Sequence, residues 1–390
     1  MSPQVTVLIA VHDGGSYFRE SIDSVLAQSF GDFELLVVDD ASTDGSGELA
    51  LSLGDARIRV LRNERNLGQI PSLNRGLEAA HGPYVARLDA DDTWRPTLLE
   101  CTIAVLDAEP SVALVGTWLD SVDEEGRLWS RTRGDIRSYA ELVAAVLLDR
   151  FPFAHNSIVY RRDVVLDLGG YDETLGAAED KDLYRRLALA RHEIRVVTQP
   201  LAIYRQHGEQ MSRARAAVVE RSDEHAYEQF LAALGGDLPL RPLRALLRGE
   251  PVYWEEPIGY ETLERLVGAV TDRLALDERQ RRVAAAAVAR RCAQLAVAGW
   301  ASGAPSYRRA SRQLVRFARR RGGAREHASL VLYPLALAAS PFGATVAGLR
   351  SRMRSAFRSG PLEGLRSRAR RSLLLRALYA RLVGRASSGR

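Results

Sequence analysis

The stretch ARLDADDTW, residues 86–94, places three carboxylates, Asp89, Asp91 and Asp92, directly behind the apolar run PYVARL. Like charges a few ångströms apart repel, so one of them takes up a proton unless a counter-charge is supplied. A divalent cation meets that need. Oxygen ligands suit Mg2+ or Mn2+, and such ions are held by one or two carboxylates together with substrate phosphates. The job implied is neutralisation of a diphosphate leaving group. By itself a DxD is more often a solvated acidic turn. A second acidic group, Glu179, Asp180 and Asp182 in EDKD, could supply a base, although acids at a helix start are common because they suit the helix dipole.

Whether these acids meet depends on the elements that carry them. VTVLIAV (5–11), FELLVVDD (33–40), RIRVLRN (57–63) and YVARLDADD (84–92) are short apolar runs separated by helical patterns, as in βα units. Phe18, Ile22, Val25 and Leu26 fall at helical spacing, ASTDGSGELALSL opens a helix with Ser and Thr as candidate caps, and IPSLNRGLEAAHG is a helix closed by Gly82. Asp13, Asp39, Asp40, Asp89 and Asp91 all sit at or just past strand C-terminal ends. In an open parallel sheet that edge is where ligands bind. The fold class expected is α/β with a doubly wound, mostly parallel sheet. Beyond residue 95 follow a helix, the strand VALVGTW and a polar hairpin around DEEGR; after residue 213 the pattern is helical throughout.

Composition is that of a water-soluble chain: 390 residues, 46% hydrophobic, 26% charged. The two cysteines, Cys101 and Cys292, have neither the number nor the spacing of a disulfide framework or zinc ribbon, and suit a reducing cytoplasm. The N-terminus lacks a basic region and a long apolar core, so no signal peptide is expected. The net charge of +5 is unevenly spread. Residues 1–214 carry a net −12 and the rest a net +17, nearly all of it arginine. That split divides the chain into 1–214, a helical region 215–325, and an apolar and Arg-rich tail 326–390.

VTVLIAVHDGGSYFRESIDSVLAQSFGDFELLVVDDASTDGS, then NLGQIPSLNRGLEAAHGPYVARLDADD, then GGYDETLGAAEDKDLYRRL strongly resemble the family 2 glycosyltransferases. That family has the GT-A fold and inverts configuration while using nucleotide-sugar donors, and the resemblance covers residues ~4–215. It implies that Asp40, with Asp39 beside it, contacts the nucleotide base, and that Ala10, His12 and Asp13 flank base and ribose. Asp89 would face ribose and metal, Asp91 would be the principal metal ligand, and Asp92 and Trp94 would shape the donor-sugar pocket. Asp180 would be the general base, its proton affinity raised by Glu179. His207, in YRQHGEQMS, would complete the metal or diphosphate site; His155 and Asp182 would lie near acceptor or phosphates. Where many members carry an arginine before the asparagine of the block after NLG, this chain has Leu73 before Asn74. No QxxRW motif or set of membrane spans accompanies these motifs, which favours single addition over processive synthesis.

The basic half lacks the aromatic interleaving of a nucleic-acid binder, so nucleic acid is not expected as a partner. Clustered arginines attract anionic lipid, and RSRARRSLLLRALYARLVGR gathers Leu373, Leu374, Leu378 and Leu382 on one helical face. The uncharged run 328–349 is long enough to span a bilayer, but Pro334 and Pro341 make it a better surface anchor. The expectation is a cytoplasmic enzyme, peripheral on the inner membrane face, that moves a sugar from a UDP-sugar to a glycan or lipid-linked hydroxyl with Mn2+ or Mg2+. The rivals are a nucleotidyltransferase, for which HDGGSYF lacks a cation to grip a triphosphate, and a non-catalytic nucleotide-sugar-binding scaffold.

Overall fold

The computed structural model describes residues 2–208, 210, 215–234, 260–302 and 316. In chain order the strands are β1 (Val5–Val11), β2 (Phe33–Asp39), β3 (Ile58–Arg62), β4 (Tyr84–Arg87), β5 (Thr93–Trp94), β6 (Val112–Val122), β7 (Leu128–Arg131), β8 (Ile158–Arg161) and β9 (Glu193–Arg205). The helices are α1 (Phe18–Leu26), α2 (Ser46–Ser52), α3 (Gln69–Ala79), α4 (Leu98–Ala108), α5 (Tyr139–Leu147), α6 (Arg162–Asp167), α7 (Glu179–Leu189), α8 (Ala216–Ala233), α9 (Tyr260–Arg273) and α10 (Glu278–Ser302).

The first four strands lie parallel in the order β3-β2-β1-β4; the apolar runs of β1, β2 and β4 suit strands covered on both faces, and β3 is the partly exposed edge. Antiparallel β8 joins β4 to β6, so β6 again runs with β4, and β9 pairs parallel with β6. The C-terminal ends of β1, β2, β4, β6 and β9 therefore share one edge. The pleat sends alternate residues of β1 to opposite layers. Val7 and Ile9 pack with Phe18 and Ile22 of α1 and Leu98 of α4, whereas Leu8 joins Leu73 of α3 and Leu183 of α7.

Two details differ from expectation. Gly82 does not close α3, which ends at an extended Ala80. A Cβ on Gly82 would come within 2.6 Å of the Thr6 nitrogen, so the glycine serves close approach to β1. The α2 N-cap is Gly45, with no capping side chain. Beyond these expectations, the described helices of 215–302 share the core of the sheet: Leu263, Val270, Val288 and Cys292 belong to the cluster that contains Leu8 and Leu36. Burial pushes the Cys292 thiol up to about 12, which makes it a packing residue. Among the described residues no helix is long and apolar enough to cross a membrane. The 328–349 run and the Arg-rich tail lie outside the described residues.

Candidate functional site

At the β1–β2 end of the edge, the carboxylates are occupied by the chain itself. Asp40 is buried; its Oδ1 accepts from Asn63 Nδ2 (2.6 Å) and the Leu67 amide (2.8 Å), and its Oδ2 from the Gly68 amide (2.8 Å). Asp39 Oδ1 accepts from the Ser42 amide (2.8 Å), while Oδ2 faces α2 with the Arg62 Nε at 3.5 Å. Asp13 takes a left-handed backbone (φ +52°) and its Oδ1 accepts the Thr43 and Asp44 amides at 2.6 and 3.2 Å. The Thr43 bond, more than any other contact, holds its carboxyl below the usual range. His12 Nδ1 lies 2.8 Å from the Asp40 carbonyl, and Ala10 stands in register with Val38. Ala10, His12 and Asp13 thus border the edge, and Asp39 and Asp40 brace its loops from behind.

The LDADD loop divides its three acids. Asp89 Oδ1 is paired at 2.6 Å with Arg87 Nη2, whose side chain is fully buried in β4. Asp92 is buried, accepting from Asn156 Nδ2 (2.5 Å) and the Arg205 amide (2.8 Å), and Trp94 is buried with its indole N–H on the Asn156 carbonyl (2.7 Å). Asp92 and Trp94 therefore do not line a sugar pocket; they tie the loop to β9 and to the 3-10 turn His155–Ser157. Asp91 alone meets a candidate ligand, with Oδ2 2.9 Å from His207 Nε2. Burial first, then the Asp89 charge, raise its pKa.

Two neighbouring ligands of an octahedral ion with bonds near 2.1 Å stand about 3.0 Å apart, so the Asp91–His207 spacing fits a metal of that size. Among the described residues no three Asp, Glu, His or Cys side chains converge on one point. Asp89, held by Arg87, is not brought into the pair. A two-ligand set completed by phosphate oxygens and water is the arrangement Mg2+ and Mn2+ accept.

EDKD opens α7, immediately after Ala178 in the left-handed region (φ +62°). A non-glycine residue there is strained, and such strain collects at functional sites. Glu179 is buried with Oε1 3.4 Å from His155 Nδ1; burial pushes its pKa up, but the His155 bond and charge outweigh that and the net shift is down. His155 Nε2 in turn lies 3.0 Å from the Tyr171 hydroxyl, which meets the Tyr160 hydroxyl at 3.2 Å. Both His155 nitrogens are thus engaged from below, and the ring is not offered to phosphates. Asp182 points away, its Oδ2 2.6 Å from Arg186 Nε, and is not part of the cluster. Asp180 accepts no hydrogen bond from another side chain among the described residues, only the Lys181 amide reaching its carboxyl, and burial chiefly raises its pKa, with His155 opposing and Glu179 assisting.

Arg87 joins the two acidic groups. Besides pairing Asp89, its charge acts on Glu179, so one buried guanidinium spans the LDADD loop and the start of α7. Nothing in PYVARL singled it out beyond being a cation inside an apolar strand, itself a signal, because buried arginines are rare unless paired. Tyr171 is placed by the Gly169–Gly170 turn (φ +87° and +73°) and by Asn74, which takes the Tyr171 amide (2.8 Å) and donates to its carbonyl (2.9 Å). Arg75 turns instead to the Arg62 carbonyl. From behind, Asp223 of α8 binds Lys181 and Arg185 at 3.1 and 2.8 Å, fixing α7 against the helical region.

Known proteins resemble this chain in sequence and in fold. The family description Glycosyl transferase family 2 matches residues 6–169. The putative glycosyltransferase EpsE of Bacillus subtilis is 32% identical over 189 residues, 47% of this chain and 66% of that one. Glycosyltransferase GlyG of Streptococcus pneumoniae is 27% identical over 152 residues, 38% of this chain and 50% of that one. The chain spans between half and about two thirds of these relatives' length. Among solved structures, S. aureus TarS 1–349 in complex with UDP-GlcNAc is similar with a TM-score of 0.53 at 18% identity, over 82% of this chain and 93% of that one. That likeness is one of fold.

Proposed function

We propose, from the premise that the chain belongs to glycosyl transferase family 2 through residues 6–169, that it moves a sugar from a nucleoside-diphosphate sugar to an acceptor hydroxyl with inversion at the anomeric carbon. The observation that carries this reading is Asp180: a half-buried carboxylate of raised proton affinity, left without a side-chain donor, at an edge where Asp13, Asp40, Asp89, Asp91 and Asp92 each meet a partner. A base for an incoming hydroxyl needs a free carboxylate whose affinity for the proton lies closer to working pH than that of an exposed Asp.

The division of labour follows from the contacts. The β1–β2 end, bordered by Ala10, His12 and Asp13, receives the nucleoside, and its loops are stiffened by Asp39 and Asp40. Asp91 and His207 would hold a divalent ion, which when bound supplies positive charge to the departing diphosphate. Arg87 pairs with Asp89 and its charge favours ionised Glu179, and His155 holds Glu179 so that Asp180 faces the site. Asp180 takes the acceptor proton as the acceptor oxygen attacks the anomeric carbon opposite the diphosphate. A UDP-sugar is the donor proposed, after the UDP-GlcNAc held by the S. aureus protein of the same fold. The acceptor proposed is a glycan or lipid-linked hydroxyl presented at an anionic membrane surface, which the basic residues 326–390 would engage from the cytoplasmic side. Co-sedimentation with phosphatidylglycerol vesicles that survives truncation at residue 325 would refute that last part.

The test is binding and slow hydrolysis of UDP-, GDP- and dTDP-sugars with Mn2+ or with EDTA. One donor bound and hydrolysed only with metal supports the reading. Binding without any turnover points to a scaffold, and no binding under either condition refutes it.

A further inference from the structure

Four large apolar side chains are exposed among the described residues, and two of them are neighbours: Leu128 at 58% and Trp129 at 69%. Both lie on β7, whose four residues are all exposed. A strand that buries neither face adds nothing to the core, so its apolar residues have no packing reason to be there.

The pairing shows how the tryptophan is presented. Ser121 of β6 stands opposite Ser130, and Val122 opposite Leu128, so Trp129 is the extra residue of a β-bulge. Bulges re-aim a side chain and gather beside active sites. The indole N–H of Trp129 donates to nothing among the described residues, leaving a flat apolar face and one donor together in solvent.

Its place on the sheet follows from β6. That strand pairs with β8 at Leu114–Gly116, while the Thr117 carbonyl accepts the Ser157 hydroxyl, Leu119 exchanges hydrogen bonds with Thr132, and Asp120–Val122 pair with β7. Strand β7 thus continues the line of β8 and the His155–Ser157 turn out past the ligand edge. The hairpin is joined to the metal side as well: the Gln206 amide donates to the Val122 carbonyl (2.8 Å) and the Gly208 amide to Glu124 Oε1 (3.2 Å), on either side of His207. Counted across the sheet, Leu128, Val122 and Arg205 are successive neighbours, so β7 lies two strand spacings, about 10 Å, from the end of β9. The nucleoside end of the edge, at β1 and β2, is on the opposite side of β4.

Charge excludes one occupant. Between Asp120 and Arg131 the hairpin carries four acids against two arginines. Arg127 is paired to Asp123 and Glu125, and Arg131 to Asp120. A hairpin with excess carboxylate and both of its arginines paired does not attract anionic lipid.

Resting on the transferase reading above, we infer that Trp129 is the acceptor platform: the aromatic face on which a sugar ring of a glycan acceptor stacks while its neighbouring hydroxyl reaches Asp180. Aromatic faces bind sugars through their apolar C–H side and leave the hydroxyls free for hydrogen bonds, and Leu128 extends the same apolar step. Trp129 here is a specificity-determining residue; it takes no part in the proton transfer.

The test uses full-length chain with 15N-labelled tryptophan indoles, the Trp129 signal being assigned by Trp129→Phe. Methyl glycosides and disaccharides of glucose, galactose, mannose and N-acetylglucosamine are titrated in the presence of UDP and Mn2+. At least one sugar is expected to shift the Trp129 signal. For that sugar, Trp129→Ala raises the acceptor KM about tenfold with kcat nearly unchanged, about 1.4 kcal/mol, and Trp129→Phe restores most of the loss. Acceptor-free hydrolysis of the donor stays at the wild-type rate in both variants. A panel that leaves the Trp129 signal unmoved while the donor is still hydrolysed overturns the inference, as does a Trp129→Ala variant with wild-type acceptor KM. A Trp129 response confined to phosphatidylglycerol vesicles also overturns it. Absence of donor hydrolysis in the wild-type chain would instead overturn the transferase reading beneath it.

Discussion

The two ends of the acidic edge use the same side chain for opposite purposes. At β1–β2, Asp13, Asp40 and the Oδ1 of Asp39 take amide and side-chain donors of their own loops, Asp39 Oδ2 being buried without one, and where a shift is resolved, at Asp13 and Asp44, it is downward. At β4 and α7, burial raises Asp91 and Asp180, and neither is saturated by the chain. Carboxylates that receive several donors stabilise loops. Carboxylates kept short of donors in a half-buried place are held ready for a cation or a proton. Asp92 shows the boundary, because burial pushes its pKa well up although two donors reach it; it sits beside Asp91 and serves the loop.

Substitutions can break that contrast in order of size. Arg87→Leu removes the buried cation that Asp89 and Glu179 share, so thermal or urea unfolding should show a loss of about 3–5 kcal/mol, together with loss of activity. A loss below about 1 kcal/mol would mean the two acidic groups are not joined through it. Asp91→Ala should weaken Mn2+ binding by roughly 100-fold, read by titration calorimetry without donor, about 2.7 kcal/mol; Asp13→Ala, at the saturated end, should leave it unchanged. Asp40→Ala strands the donors of Asn63, Leu67 and Gly68, with a cost of about 1–3 kcal/mol and weaker donor binding but an unaltered pH profile. The smallest effect sharpens the comparison most. Among its charged neighbours, His155 is the one that most lowers the Asp180 pKa, so His155→Gln should move the acidic limb of kcat/KM to higher pH. The sign follows because the ionised carboxylate is the active form and activity falls as pH drops through its pKa. A limb that stays in place would separate His155 from the base.

Much of this was legible in the chain. Three of the four parallel strands, β1, β2 and β4, follow from apolar runs of strand length ending in acids, β3 from the alternating RIRVLRN, and the hairpin from DEEGR. LDADD was found by its place behind an apolar strand, and EDKD through the resemblance to the family 2 glycosyltransferases. Their internal division was not, because neighbours two or three residues apart in a turn or helix differ in facing direction, and a string of letters carries no facing. Asp182 lies two places from Asp180 and so turns to Arg186. Asp89 turns to Arg87 because the buried guanidinium needs it. Trp94, expected at the sugar pocket, is buried on the Asn156 carbonyl. The return of β9 beside β6, which brings His207 to Asp91, joins residues 116 positions apart and depends on packing that no local pattern encodes.

The central claim is that Asp180 takes the acceptor proton. Asp180→Asn removes that capacity with almost no change of size, and donor affinity should be measured beside transfer. The account predicts transfer reduced by about 10²–10⁴-fold with donor Kd within threefold of wild type. Transfer within tenfold of wild type in that variant would contradict it and return the EDKD acids to the role of an ordinary helix start.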